Sequence, residues 1–222
     1  MWRLALVLDN IRFKYQTIEF EDIDIHVRTL RDTQQFYDKD NKAEKLGINS
    51  ASWSLFGVLW PSSQILANYV HQKDTSSKRI LEIGCGIGLS SLLLNHAGED
   101  ITATDYHPEV EAFLETNTQL NDDEEIPFFR ADWEKFEDKD MKKFDLIIGS
   151  DILYQRDHIE ILSNFIKKCA NEKCEVIIVD PNRGNRSKFT TKMNEYGFTN
   201  DRIDTSKYTD IDYKGSINIY RR

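Results

Sequence analysis

The stretch Ile80-Leu81-Glu82-Ile83-Gly84-Cys85-Gly86-Ile87-Gly88-Leu89 is an apolar run that ends in three glycines within five residues. Glycine after a strand lets the chain turn tightly and lets a ligand reach the backbone with no Cβ in the way, at an entropic cost of roughly 0.5–1 kcal/mol each. Three together imply a bound ligand. The dinucleotide fingerprint G-x-G-x-x-G needs glycine where Leu89 stands, whereas here the glycines fall at 84, 86 and 88 behind Glu82. A phosphate-cradling loop would end in Gly-Lys-Ser/Thr, and none follows.

A strand and a helix later, "ITATDYHP" sets Asp105 at a strand end, where a carboxylate can accept both hydroxyls of a ribose. The following strand ends in "RADW", where Asp132 could accept from an adenine amino group and Trp133 offers an apolar or stacking face. Taken singly, a strand-end Asp is more often a helix cap and a Trp more often core. Their order at successive strand ends, behind the glycines, implies an adenosine without a pyrophosphate. S-adenosyl-L-methionine is the cofactor that fits.

These residues need elements to hold them. From residue 61 onward strand-like runs alternate with helical stretches: "RILEIG" then 89–97, "DITATD" then 108–120, "IPFFRAD", "FDLIIGSD" then 158–170, and "CEVIIVD" then 186–196. Such alternation, with Ile-rich strands apolar on both faces, predicts an α/β fold with a parallel sheet covered by helices on each side. "GFTNDRID" and "GSINIYRR" leave no room for a long helix between them and predict an antiparallel pair at the sheet edge. Earlier, "YQTIEFEDIDIHVRTL" alternates with period two and suggests a hairpin. Residues 1–60 read as an N-terminal extension packed on the main sheet of a domain spanning 61–222, with "RDTQQFYD" and "SASWSLF" as a candidate lid over the site.

The 222 residues suffice for one domain with a full core, and the formal net charge of −9 works against nucleic acid or anionic lipid as a partner. The apolar start "MWRLALVLDN" is interrupted by Asp9 and lacks a small-residue cleavage site, and no segment reaches membrane-spanning length. Cys85, Cys169 and Cys174 are odd in number and without paired spacing, which argues against a disulfide framework or a metal site. The five histidines show no metal spacing either. A cytoplasmic protein without a metal is the expectation.

With those residues in place, the chain resembles the seven-β-strand S-adenosylmethionine-dependent methyltransferases, whose first motif is E-x-G-x-G-x-G, and within them the family-16 group that includes protein-lysine methyltransferases. The stretches that carry the likeness are "GVLWPSSQILANYV", "LEIGCGIGLSSLLL", "ITATDYHPEV", "ADW" and "FDLIIGSDILY". The resemblance implies a Rossmann-like, doubly wound, mostly parallel seven-stranded sheet. It further implies that Trp60 borders the cofactor, that Gly84, Cys85 and Gly86 lie along its methionine part, that Asp105 meets the ribose, that Trp133 lies beside the adenine and that Ser150 makes a contact from the fourth strand. Asp151 and Tyr154 form its D-x-x-Y motif at the acceptor mouth.

The activity implied is transfer of a methyl group to a protein lysine, with Asp151 orienting the amine and Tyr154 contributing a π face or hydroxyl. A small-molecule N-methyltransferase stands second, because "VDPNRGNRSKF" is similar to a D-P-G-R stretch of some bacterial relatives predicted to act on small molecules. A catalytically silent cofactor-binding module stands third. A nucleic-acid amino-methyltransferase would carry a D/N-P-P-Y/F motif where this chain reads "SDILY".

Overall fold

In a computed structural model, residues 11–36, 38, 41–137 and 142–222 are described. The apolar start "MWRLALVLDN" lies outside them.

Two strands, β1 (Phe13–Phe20) and β2 (Ile23–Leu30), form an antiparallel hairpin in full register from Phe13↔Leu30 to Phe20↔Ile23. A one-turn helix α1 (Lys42–Lys45) and two short 3-10 turns lead to α2 (Pro61–His71). Then come β3 (Arg79–Ile83), α3 (Leu89–His96), β4 (Asp100–Asp105), α4 (Val110–Leu120), β5 (Phe128–Arg130), β6 (Phe144–Ser150), α5 (His158–Cys169), β7 (Ala170–Asp180), α6 (Arg186–Glu195), β8 (Thr199–Ile203) and β9 (Ser216–Arg221).

The main sheet has seven strands in the order β5-β4-β3-β6-β7-β9-β8. The first five are mutually parallel, and β9 runs antiparallel between β7 and β8. From β3 the chain steps outward through β4 to β5, then returns to lay β6 on the other side of β3. That reversal opens a crevice at the carboxyl ends of β3 and β6, the place where doubly wound sheets bind ligands.

Strand alternation divides the core in two. Ile80, Leu146, Ile148, Ile177 and Val179 face one side with α2, α3 and α4, while Leu81, Ile83, Ile147, Val176 and Ile178 face the other with α5 and α6. Phe144 belongs with Ile147 despite the parity, which the register shift between Phe144 and Leu146 permits. In α5 the buried residues Ile159, Leu162, Phe165, Ile166 and Cys169 recur at helical spacing and make one apolar stripe.

The expected hairpin, edge pair and helix order are all present. The packing of the hairpin differs from expectation. It rests on α3 and α4 outside the main sheet, with Ile25 and Val27 in the helices' core. The open edge of β2 is closed by two asparagines four residues apart on α4. Asn117 accepts from the Arg28 N–H at 2.7 Å, and Asn121 accepts from the His26 N–H at 2.8 Å and donates to the His26 carbonyl at 2.9 Å. Side-chain amides thus satisfy backbone groups that a further strand would otherwise take.

Candidate functional site

The carboxyl ends of β3, β4 and β6 open into one cleft of about 560 Å³, within the range of small-molecule sites. Gly84 and Gly86 line its floor with φ of +61° and +54°. A Cβ on Gly84 would stand 2.8 Å from Ile152 Cγ2, and one on Gly86 3.0 Å from the Phe56 carbonyl oxygen. Side chains are excluded there by both the backbone conformation and the space.

Asp105 ends β4 beside that loop. Its Oδ2 accepts from the Gly86 N–H and its Oδ1 from the His107 N–H, both at 2.9 Å. A carboxylate offers about four lone-pair positions, so these two bonds leave it acceptor capacity for a ligand. Burial raises its pKa, against the lowering effect of the backbone N–H groups. Cys85 is buried; its N–H donates to the Thr104 carbonyl at 3.1 Å, and burial keeps its thiol protonated.

Two motif glycine-loop residues face elsewhere. Glu82, 2% exposed, accepts from the Ser91 N–H at 2.9 Å and from the Ser91 hydroxyl, and so fixes the first turn of α3. Burial lifts its pKa to about 7. Gly88 is the N-terminal cap of α3 and faces Leu114 of α4, whose Cδ1 a Cβ would meet at 2.5 Å. Neither borders the cleft: Glu82 and Gly88, grouped by sequence with the cofactor-binding glycine loop, shape that loop from behind.

The β5 end supplies Asp132 and Trp133 to the wall. Asp132 accepts from the Glu134 N–H at 3.1 Å and pairs with Lys135 at 3.4 Å, which engages the carboxylate in its own turn. The Trp133 ring rests on Phe165, 6.1 Å between centroids, and its buried indole N–H has no partner. Trp60 lines the opposite wall, held by a bond from Nε1 to the Leu55 carbonyl at 3.2 Å. Ser150, Asp151 and Tyr154 come from the end of β6 and the turn after it.

Asp151 has a left-handed backbone, φ +52°, and its N–H donates to the Val179 carbonyl at 2.9 Å. Both its carboxylate oxygens are taken by one edge of the Arg183 guanidinium, Nε to Oδ1 at 2.7 Å and a terminal nitrogen to Oδ2 at 2.8 Å. Arg183 comes from the turn after β7 and was no part of the expected site; its partner lies 32 residues away in sequence, so no local spacing reveals it. The Tyr154 side chain is half exposed, and burial of its hydroxyl followed by the charges of Asp105 and Asp151 raises its pKa.

The remaining wall is the segment before α2. Leu46 to Asn49, Ser52, Leu55 and Phe56 border the cleft, and the Tyr106 hydroxyl donates to the Leu46 carbonyl. His107 anchors this wall from beneath. Its ring stacks on Phe56 at 4.1 Å and packs on Trp53 at 4.2 Å, and burial, with Arg130 nearby, drives its pKa down to about 3. It is a neutral packing group. "SASWSLF" is therefore part of the wall, whereas in "RDTQQFYD" Phe36 packs under it against Trp53 and Phe56. His158 also lines the cleft. Among the described residues no group of three or more His, Cys, Asp or Glu is arranged to hold a metal ion.

The order of strands and the crevice define the Rossmann-like methyltransferase fold. The magnesium protoporphyrin IX methyltransferase of Synechocystis PCC 6803, solved with bound SAM, matches it with a TM-score of 0.55 at 18% identity, over 72% of this chain and 77% of that one. The sequence model of the lysine methyltransferase family matches residues 40–196, and the chain belongs to that family. The histidine protein methyltransferase 1 homolog of Dictyostelium discoideum is 37% identical over 125 residues, 52% of this chain and 40% of that protein. The protein-lysine methyltransferase METTL21E of Bos taurus is 30% identical over 130 residues, 53% of this chain and 44% of that protein. The chain thus spans less than half the length of either relative.

Proposed function

We propose that the protein is an S-adenosylmethionine-dependent methyltransferase whose acceptor is a lysine side chain of another protein. The observation that carries this reading is Asp105, tethered to the Gly86 N–H and sharing one cleft with Asp151 and Tyr154. Membership in the lysine methyltransferase family and the named activity of the Bos taurus relative support a lysine acceptor.

The residues present fit the cofactor. Gly84 and Gly86 bring bare backbone to the cleft in a conformation that side chains do not share, Asp105 has acceptor capacity left for ribose hydroxyls, and the Trp133 N–H is buried without a partner beside the expected adenine. Trp60 and Ser150 would close the remaining sides, with Cys85 contributing only backbone. When bound, the sulfonium supplies an electrophilic methyl group.

What the chain itself must do is align and shelter. Methyl transfer is an in-line displacement, so most of the acceleration comes from holding the nucleophile at the correct angle. A lysine ammonium, ordinarily with pKa near 10.4, has no lone pair and must give up a proton to solvent at the cleft mouth before it can attack. Asp151 accepts a hydrogen bond from the incoming nitrogen and so fixes its direction. Tyr154, its pKa raised, stays a neutral phenol: it offers a hydroxyl and a ring face to the cation and does not serve as a phenolate base. Leu55, Phe56 and Trp60 keep water from the reacting atoms.

The Dictyostelium relative supports a second reading, a protein histidine, whose imidazole is already neutral near pH 7. No helix among the described residues is long and apolar enough to cross a membrane. The three cysteines are buried free thiols, which fits a reducing compartment such as the cytoplasm.

The test is incubation of the purified protein with tritiated S-adenosylmethionine and cell extract, beside Asp151→Ala. Label in a discrete protein band that the variant fails to produce supports the reading, and mass spectrometry of that band decides between lysine and histidine. Label only in the small-molecule filtrate contradicts it.

A further inference from the structure

Asp151 does not meet the cleft as a free carboxylate, because each of its oxygens already faces a nitrogen of Arg183. The two partners are unequally fixed. The Asp151 side chain is 13% exposed, while that of Arg183 is 46% exposed and reaches the lip of the cleft from a turn. On either side of Arg183 the backbone is left-handed, at Asn182 (φ +61°) and Gly184 (φ +89°). A second carboxyl group lies close by: Asp180 is buried, its Oδ2 accepts from the Asn182 N–H, its Oδ1 has no partner, and burial raises its pKa.

We propose that Arg183 is a specificity-determining residue whose guanidinium occupies the position on Asp151 that a cationic acceptor must take, so that the acceptor enters only by exchange with it. This rests on reading the cleft as a methyl-transfer site with Asp151 at the acceptor. A two-pronged guanidinium is a stronger partner for a carboxylate than a single ammonium. A free amine therefore has nothing to offset its displacement. A lysine carried by a protein does, because contacts made outside the cleft contribute binding free energy that can drive the exchange. Discrimination is achieved by opposing the wrong ligand as well as by holding the right one.

The experiment is a calorimetric titration of N-acetyl-lysine methylamide into the wild-type protein and into Arg183→Met, each saturated with S-adenosylhomocysteine so that no turnover occurs. Arg183→Met is expected to bind the amine about tenfold tighter or more, with affinity for S-adenosylhomocysteine unchanged. Arg183→Gln, which also removes the charge, is expected to follow it. Amine binding by both variants that equals or falls below that of the wild type overturns the proposal; weaker binding would mean that Arg183 steadies Asp151 for the acceptor. Failure of the wild-type protein to bind S-adenosylhomocysteine sinks the methyl-transfer reading itself, so the two failures are told apart.

Discussion

Asp105 and Asp151 follow neighbouring parts of the same sheet and open into the same cleft, yet they are held by different means. Asp105 is held by two backbone N–H groups, one of them from the glycine loop. Asp151 is gripped by one long side chain that is nearly half exposed. A site for one invariant ligand gains from the first arrangement, since rigid donors lose no freedom on binding. A site that admits a macromolecule's side chain and releases it after reaction gains from the second. The floor of the cleft is thus built for permanence and the mouth for exchange.

The largest expected effect sharpens that contrast at the mouth. Asp151→Ala should slow methyl transfer by about 10³-fold, within the range for a group placed at a reacting atom, because the amine loses its orienting partner and Arg183 is left unpaired beside it. Single-turnover transfer of tritiated methyl measures it; a loss below tenfold would place the acceptor elsewhere.

The next effect belongs to the support behind the floor. Glu82 titrates near 7 when folded, above the ordinary carboxyl value of 4.5. The folded state therefore holds a proton that the unfolded state has released between those values. Stability from this group is fully present below about pH 4.5 and is lost as pH rises through about 7, a change of about 3 kcal/mol. Glu82→Gln should flatten that slope in urea unfolding measured from pH 4.5 to 8. An unchanged slope would mean that the buried carboxyl is already compensated.

Smaller again, Gly86→Val should weaken cofactor binding by roughly 10- to 100-fold, from backbone strain and the Phe56 contact, with thermal stability reduced. Calorimetry reads the affinity, and wild-type binding would mean that the floor can give.

The same division explains what could be read from the sequence. Alternating strands and helices fixed the sheet, its antiparallel edge and the ends at which Gly84, Asp105 and Trp133 stand, because each is a local pattern of period or turn chemistry. By sequence Glu82 belongs to the glycine motif. Its direction depends instead on Ser91, a residue across the loop, and buried helix caps of that kind are invisible to spacing. Asp132 was expected to be free for an adenine and is partly engaged by its own turn. The hairpin's alternation was legible, but its seat on α3 and α4 follows from Asn117 and Asn121, which carry no sign of a strand partner about 90 residues away. Arg183 was missed for the same reason: "DPNRG" marks a turn, and only the folded sheet brings it to Asp151.

The most direct measurement is calorimetric binding of S-adenosylmethionine to the wild-type protein, Asp105→Asn and Asp151→Ala. A permanent floor and an exchangeable mouth predict that Asp105→Asn binds at least about tenfold more weakly, through loss of charged hydrogen bonds to the ribose, while Asp151→Ala stays within about threefold of wild type. Equal losses in the two variants, or no binding to the wild-type protein, would contradict the account.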